Sequence, residues 1–220
     1  MKFLKNSLII ISFIVSPVFA AKVVVTGDST VANYAGEKLG WGNPLGKYLV
    51  PGTELINHAK GGRSTKTFIS EGLWEKAVSE KGKYVFIQFG HNDEGKGHTS
   101  ANSSYKSNLK KMIADVKKNN GIPIIVSSPT RLRFVNSSTM TSELAPFVKA
   151  ASEVAKSEGV HFINLFEASR KKYIQIGEQN ALKLFVQGDR THTNRKGADV
   201  LASLISIEMK KNPKLKSLVK

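Results

Sequence analysis

The chain of 220 residues is long enough for one ordinary globular domain, and its 40% hydrophobic and 23% charged residues are close to average usage. These values exclude a disordered, collagen-like or coiled-coil protein, and the absence of cysteine excludes disulfides, a thiol nucleophile and a cysteine-ligated zinc site. The formal net charge of +16 favours acidic partners such as nucleic acid, anionic lipid or acidic polysaccharide, although a basic surface can also serve solubility alone.

The first twenty residues have the pattern of a secretory signal peptide. Lys2 and Lys5 give a positive start, residues 8–15 form an apolar run, and small residues precede a cleavage site after Ala20. This run is shorter than the roughly 20 residues that a membrane-spanning helix needs. We therefore expect a secreted or periplasmic protein whose residues 21–220 form a single domain without a membrane partner. Export also argues against nucleic acid as the partner.

Five short runs rich in β-branched and aromatic residues predict buried strands, at 22–26, 54–57, 84–89, 122–127 and 160–164. Apolar residues at helical spacing predict amphipathic helices over 105–119, 143–158 and 194–211. No tight hairpin signal joins any two of the strand-like runs. This alternation predicts an α/β fold: a three-layer α/β/α sandwich with a five-stranded parallel sheet of flavodoxin-like type.

Glycine and polar residues follow each of the first three predicted strands. They lie at residues 27–30, 57–64 and 90–93, and an Asp–His pair at 189 and 192 precedes the last predicted helix. In parallel sheets, functional residues collect in the loops beyond the carboxyl ends of the strands. Taken singly, each segment is also explained as a turn or a helix cap.

Together these segments contain the groups of a nucleophilic active site. Ser29, predicted to lie at a strand-to-helix turn, needs a base because a free serine hydroxyl is a poor nucleophile at neutral pH. His192 is the candidate base, and Asp189 lies three residues before it, where its carboxylate would fix the tautomer and stabilise the imidazolium. An oxyanion would be bound by the backbone N–H groups of Ser29 and Gly62 and by the side-chain amide of Asn92.

These residues are similar to the four ordered sequence blocks of the SGNH (GDSL-type) hydrolases: Gly27-Asp28-Ser29, Gly62, Gly90-His91-Asn92-Asp93 and Asp189-x-x-His192. Longer strings around them resemble the rhamnogalacturonan acetylesterase branch, and the resemblance runs from the first strand to the last helix. It implies an esterase that removes acetyl groups from plant cell-wall pectin. It also implies Ser29 as nucleophile, His192 as base supported by Asp189, and an oxyanion hole of Ser29, Gly62 and Asn92.

The substrate is less closely defined than the chemistry. Pectin carries a carboxylate on each galacturonate, so Arg63 and His91, beside the predicted site residues, are candidate substrate contacts. Each also has a structural interpretation, with Arg63 fixing the second loop and His91 packing below Asn92. An acetylxylan esterase, an esterase or thioesterase for lipid acyl chains, and a carbohydrate-binding module without activity remain alternatives.

The sequence predicts no cofactor. Four acidic or histidine side chains follow the third strand, but their spacing matches no metal motif, and we predict no metal site at His91, Asp93, Glu94 and His98. The glycines at 95 and 97 lack the third glycine of a dinucleotide-binding loop. We expect a monomer acting on an acetylated acidic polysaccharide.

Overall fold

A computed structural model of the protein describes residues 21–95 and 100–220. The predicted signal peptide, residues 1–20, lies outside the described residues, and so does His98. Among the described residues, no helix is both long enough and apolar enough to cross a membrane.

Among the described residues, seven strands form a central sheet and a separate small hairpin. They are β1 (Lys22–Gly27), β2 (Glu54–Asn57), β3 (Tyr84–Gln88), β4 (Ile122–Val126), β5 (Phe134–Asn136), β6 (Thr139–Met140) and β7 (His161–Ile163). The central sheet has the order β2-β1-β3-β4-β7, and all of its strand pairs are parallel. This is the flavodoxin-like order, so the predicted five-stranded parallel sheet is confirmed.

In the part of the chain that the structure describes, the sheet is covered by seven α-helices: α1 (Thr65–Ser70), α2 (Leu73–Ser79), α3 (Ser104–Lys118), α4 (Ala145–Ser157), α5 (Leu165–Ile176), α6 (Glu178–Leu182) and α7 (Arg195–Lys211). The three predicted helices correspond to α3, α4 and α7, within two residues at each end. Buried side chains of α1 to α4 pack on one face of the sheet, and those of α5 to α7 pack on the other. The three-layer architecture follows from these two separate cores.

The alternation along β1 shows how one strand serves both cores. Val24 faces the core beneath α1 to α4, whereas Val23 and Val25 face the core beneath α5 to α7. All three side chains are fully buried, which explains why the strand is continuously apolar. Trp41 and Trp74 lie in opposite cores and are fully buried, in agreement with core packing rather than with stacking on a sugar.

Two features of the fold correct the sequence interpretation. An antiparallel pair, β5 and β6, joins Phe134 to Met140, although no standard hairpin signal is present in the intervening residues. The segment after β1 does not enter a helix as predicted. It makes one hydrogen-bonded turn, in which the Ala32 N–H donates to the Asp28 carbonyl over 3.0 Å, and then continues as irregular chain.

Candidate active site

The loops that hold the predicted site residues meet at the carboxyl edge of the sheet. β1 pairs with β2 on one side and with β3 on the other, so the chain leaves these neighbouring strands in opposite directions. A crevice opens at such a switch point in a doubly wound sheet. Ser29 lies just beyond β1 and Asn92 just beyond β3, which places both on this crevice.

A buried carboxylate shapes the turn that contains Ser29. Asp28 is fully buried, and its Oδ1 accepts a hydrogen bond from the Thr30 backbone N–H over 2.9 Å. The Thr30 hydroxyl lies 2.8 Å from Asp28 Oδ1 and 2.9 Å from Gln88 Oε1, which links the turn to the end of β3. Trp41 Nε1 donates to the same Gln88 oxygen over 3.0 Å. Asp28 therefore holds the loop through Oδ1, while its buried Oδ2 has no hydrogen-bond partner among the described residues.

Three side chains form a continuous hydrogen-bonded chain. His192 Nε2 lies 2.9 Å from Ser29 Oγ, and His192 Nδ1 lies 2.6 Å from Asp189 Oδ2. This is the geometry in which an imidazole can take a proton from a hydroxyl while a carboxylate holds the other ring nitrogen. The structure thus brings together the nucleophile, base and supporting carboxylate that the sequence predicts.

Asp189 is held in place by the backbone of its own loop. Its Oδ1 accepts hydrogen bonds from the N–H groups of Thr191, over 2.6 Å, and His192, over 3.0 Å. Partial burial alone would raise the pKa of Asp189. The backbone hydrogen bonds and the His192 imidazole outweigh burial and hold the pKa of this carboxyl below its usual value. The carboxylate therefore stays ionised at neutral pH.

The loop with His192 is tied to the segment that follows the Ser29 turn. The Leu39 N–H donates to the Thr193 carbonyl over 3.0 Å, and the Thr193 hydroxyl donates to the Leu39 carbonyl over 2.8 Å. Arg190 points its guanidinium at Glu178, 2.8 Å away, and at the Leu132 carbonyl. These contacts fix His192 over Ser29 and give Arg190 a structural role.

Three candidate oxyanion donors belong to residues that line one cavity: the backbone N–H groups of Ser29 and Gly62 and the side-chain amide of Asn92. In the part of the chain that the structure describes, the backbone N–H groups of Ser29 and Gly62 donate to no acceptor. Gly62 has a φ of +77°, a left-handed conformation that favours glycine. Asn92 Nδ2 donates one hydrogen to the Arg63 carbonyl over 3.2 Å, which orients the amide and leaves its second hydrogen for a ligand.

A second buried carboxylate, whose role the sequence interpretation missed, joins two of these loops. The Thr65 backbone N–H lies 3.0 and 3.1 Å from the two carboxylate oxygens of Asp93, and the Thr65 hydroxyl donates to Oδ1 over 2.5 Å. Asp93 is fully buried. Its hydrogen bonds connect the loop after β3 to the start of α1, and so fix Asn92 relative to Gly62. In the sequence, Asp93 indicated no more than a possible Asx turn.

The proposed reacting groups line a cavity of about 520 Å³. The residues that line it are Ser29, Tyr34, Lys38, Lys60, Gly61, Gly62, Arg63, Asn92 and His192. The sequence interpretation missed Tyr34, Lys38 and Lys60, which carry no motif. Lys38 Nζ lies 4.3 Å from the centre of the Tyr34 ring, a cation–π contact. Among the described residues, Lys38 and Lys60 have no carboxylate partner. The cavity is therefore positively charged beside the nucleophile.

Arg63 lies on the wall of this cavity, but its guanidinium is already engaged. Nε donates to Glu71 over 3.0 Å, and Nη1 donates to the Gly61 carbonyl over 2.9 Å. These bonds hold the second loop, which matches the structural interpretation of this residue. A contact of Arg63 with substrate stays a prediction.

His91 does not line the cavity. Its side chain is 7% exposed, and neither ring nitrogen has a hydrogen-bond partner among the described residues. Burial lowers the pKa of His91 to about 4, the Asp28 carboxylate raises it less, and Arg131 lowers it further. A neutral, buried imidazole is poorly suited to bind a substrate carboxylate, so we do not retain His91 as a substrate contact.

The acidic residues next to His91 are committed to other contacts. Asp93 binds Thr65, and Glu94 pairs with Arg131 over 3.2 Å. Within residues 21–95 and 100–220, no three acidic or histidine side chains are grouped so that they could hold a metal ion.

Replacing Asp93 with alanine should lower the free energy of unfolding by about 3 kcal/mol, because the buried Thr65 N–H loses its acceptor. Urea unfolding at pH 7 measures this change. Asp199→Ala is the matched control, since Asp199 is a surface carboxylate 2.8 Å from Lys47 and should contribute less than about 1 kcal/mol. A loss in Asp93→Ala no larger than that of the control would contradict the role assigned to Asp93.

His91 should make stability depend on pH. Its folded pKa of about 4 lies below the value of about 6.5 in an unfolded chain, so the unfolded state binds the proton first. The contribution of neutral His91 to the free energy of unfolding is fully present above about pH 6.5, and the free energy of unfolding falls by roughly 3 kcal/mol as the pH drops to about 4. Urea unfolding at pH 7 and pH 4.5 should show a smaller acid loss for His91→Leu than for the wild type. Equal losses would show that His91 is not buried as a neutral group.

Comparison with known proteins agrees with this geometry. A model of the GDSL-like lipase/acylhydrolase family matches residues 25–200. The chain is 32% identical over 199 residues to the probable rhamnogalacturonan acetylesterase YesY of Bacillus subtilis (strain 168), which covers 85% of this chain and 91% of that protein. It is also 32% identical over 205 residues to the rhamnogalacturonan acetylesterase RhgT of the same strain, covering 84% of this chain and 88% of that protein.

Solved structures include a similar fold. The crystal structure of the Bacillus subtilis protein YxiM aligns with a TM-score of 0.81 at 29% identity, over 89% of this chain and 57% of that one. The matched family region contains Ser29, Asn92 and His192. The chain belongs to the GDSL-like lipase/acylhydrolase family and is an esterase.

Proposed function

We propose that the protein is a secreted carbohydrate esterase that removes O-acetyl groups from an acidic plant cell-wall polysaccharide, with acetylated pectin of the rhamnogalacturonan type as its substrate. The observation that carries this proposal is the hydrogen-bonded chain from Ser29 through His192 to Asp189. The names of the relatives support the acetyl group and the polysaccharide. We propose further that residues 1–20 direct export and are removed after Ala20, so that the form to assay begins at Ala21.

Acylation would begin with attack of Ser29 Oγ on the acetyl carbonyl carbon. His192 Nε2 accepts the hydroxyl proton as the new C–O bond forms, and the Asp189 carboxylate stabilises the imidazolium. The carbonyl oxygen becomes an oxyanion and accepts hydrogen bonds from the N–H groups of Ser29 and Gly62 and from Asn92 Nδ2. These donors are already placed before substrate arrives, so the reaction needs little reorganisation.

The intermediate collapses when the bond to the sugar oxygen breaks. His192 returns its proton to that oxygen, which leaves as a free hydroxyl, and an acetyl group remains on Ser29. Water then attacks the acetyl carbonyl, again giving a proton to His192 Nε2. Release of acetate returns the proton to Ser29 Oγ and restores the free enzyme.

The size and the positive charge of the cavity favour a substrate with a small acyl group on an anionic polysaccharide. Its volume of about 520 Å³ is modest, and its wall contains Lys38, Lys60 and the amide of Asn92 beside Ser29. A long lipid acyl chain would need an extended apolar wall in place of these cations. The two lysines have no carboxylate partner among the described residues, and a galacturonate carboxylate next to the acetylated sugar would supply one.

Ser29→Ala should reduce kcat by on the order of 10⁴-fold or more, because no other group at this position can form the acetyl-enzyme. Acetate release from acetylated pectin measures the loss, and circular dichroism checks that the thermal midpoint is nearly unchanged. With 4-nitrophenyl acetate, the wild type should give a burst of nitrophenol that the variant lacks. Ser70→Ala, an exposed serine of α1, serves as control. Substantial activity in Ser29→Ala would mean that another group is the nucleophile.

The double variant Lys38→Gln/Lys60→Gln should lower kcat/KM for acetylated pectin by about tenfold, equivalent to about 1.4 kcal/mol. It should leave kcat/KM for neutral 4-nitrophenyl acetate nearly unchanged, because that ester has no carboxylate for the lysines to bind. Lys76→Gln/Lys83→Gln removes the same charge elsewhere, with Lys83 at the opposite edge of the sheet. Equal losses on both esters, or preferred release from acetylated xylan or a long-chain ester, would exclude pectin as the substrate that the cavity selects.

A further inference from the structure

A second cavity lies beside the catalytic one and is not used by the chemistry. Its volume is about 540 Å³, and it is lined by Gly36, Glu37, Lys183, Asn194, Arg195 and Lys196. None of these side chains takes part in the chain from Ser29 to Asp189. The cavity therefore needs its own explanation.

The two cavities share a wall. Tyr34 and Lys38 line the catalytic cavity, and Gly36, between them in the chain, lines the second. We call residues 34–38 the 34–38 loop. Lys38 also pairs with Asn194 in an antiparallel bridge, and Asn194 is only two residues beyond His192. A polymer leaving the catalytic cavity across this loop would enter the second cavity directly.

The second cavity is positively charged. It contains Lys183, Arg195 and Lys196 against the one carboxylate of Glu37, and none of these four groups has an oppositely charged partner in the described part of the chain. Arg195 Nε donates to the Gly36 carbonyl over 3.0 Å, which fixes the guanidinium and leaves its two terminal nitrogens for a ligand. A guanidinium held in this way matches the two oxygens of a carboxylate.

The frame of the cavity is rigid before any ligand binds. Asn194 Nδ2 donates to the carbonyls of Lys183, over 2.9 Å, and Phe185, over 3.1 Å. Asn194 Oδ1 accepts from the Gly197 N–H over 3.0 Å, which caps α7. These bonds connect the segment that contains Lys183 to the helix that contains Arg195 and Lys196. Because the frame is already ordered, little conformational freedom is lost on binding.

We propose that this second cavity is a distal subsite that binds a uronate carboxylate of the same polysaccharide chain whose acetyl ester reaches Ser29. The inference rests on the proposed function, because it takes the acetylated acidic polysaccharide as the ligand. The subsite has no part in bond making or breaking. It holds the polymer across the 34–38 loop, so it contributes to KM for long acidic chains and not to kcat.

The test compares two double variants that each remove two positive charges. Lys183→Gln/Lys196→Gln alters the second cavity, and Lys210→Gln/Lys216→Gln alters exposed lysines near the other end of α7, roughly 20 Å along the helix. Acetate release is measured on polymeric acetylated rhamnogalacturonan and on the same polymer with methyl-esterified carboxylates. Affinity for polygalacturonate without acetyl groups is measured by calorimetry.

The cavity variant should raise KM for the acidic polymer about three- to tenfold and weaken polygalacturonate binding by a similar factor. Its kcat, its activity on 4-nitrophenyl acetate and its KM for the methyl-esterified polymer should stay unchanged, and the control variant should behave as the wild type. Equal effects in both variants, or none in the cavity variant, would overturn the distal subsite. A wild type that releases no acetate from any polymer would refute the proposed function instead, and polygalacturonate binding would then decide the subsite alone.

Discussion

Two buried aspartates hold the catalytic crevice in shape. Asp28 fixes the turn after β1 through the Thr30 N–H, and Asp93 fixes the loop after β3 to the start of α1 through Thr65. A carboxylate taken out of water is costly unless hydrogen bonds replace its hydration. Both oxygens of Asp93, and Oδ1 of Asp28, accept hydrogen bonds from N–H and hydroxyl donors of the loops that they organise. These hydrogen bonds stabilise an arrangement of the loops in which Ser29, Gly62 and Asn92 line the same cavity.

The charges of the catalytic cavity have opposing effects that Asp189 helps to balance. In the proposed function Lys38 and Lys60 favour a bound carboxylate, and the additional positive charge of an imidazolium on His192 needs its own compensation. Asp189, 2.6 Å from His192 Nδ1, supplies the compensating negative charge. Backbone hydrogen bonds keep the pKa of Asp189 below its usual value, so this charge is present throughout the neutral range.

The sequence predicted site residues correctly placed in the fold where a residue type suited to catalysis directly follows a predicted strand. The three inner strands of the sheet, β1, β3 and β4, are buried on both faces, so each appears as a short apolar run rich in β-branched residues. The order of the motifs locates Ser29 and His192 on one edge of the sheet. Lys38 and Lys60 could not be found in this way. They belong to irregular loops without periodicity, and only the tertiary arrangement places them beside the nucleophile. For His91 the sequence left two interpretations, a substrate contact and packing below Asn92, and the structure favours packing because the side chain is buried.

Gly61 connects the catalytic loop to the cation in the 34–38 loop. A Cβ atom at Gly61 would lie 2.2 Å from Tyr34 Oη and 3.5 Å from Ser29 Cβ, so any side chain there would displace the tyrosine. Tyr34 supports Lys38 through its ring, with Nζ 4.3 Å from the ring centre. Displacing Tyr34 would therefore move the cation as well as the wall between the two cavities. The absence of a side chain at Gly61 thus keeps Tyr34 and Lys38 in place for the anionic chain that we propose as ligand, whereas its neighbour Gly62 allows the left-handed backbone conformation that the proposed oxyanion donor adopts.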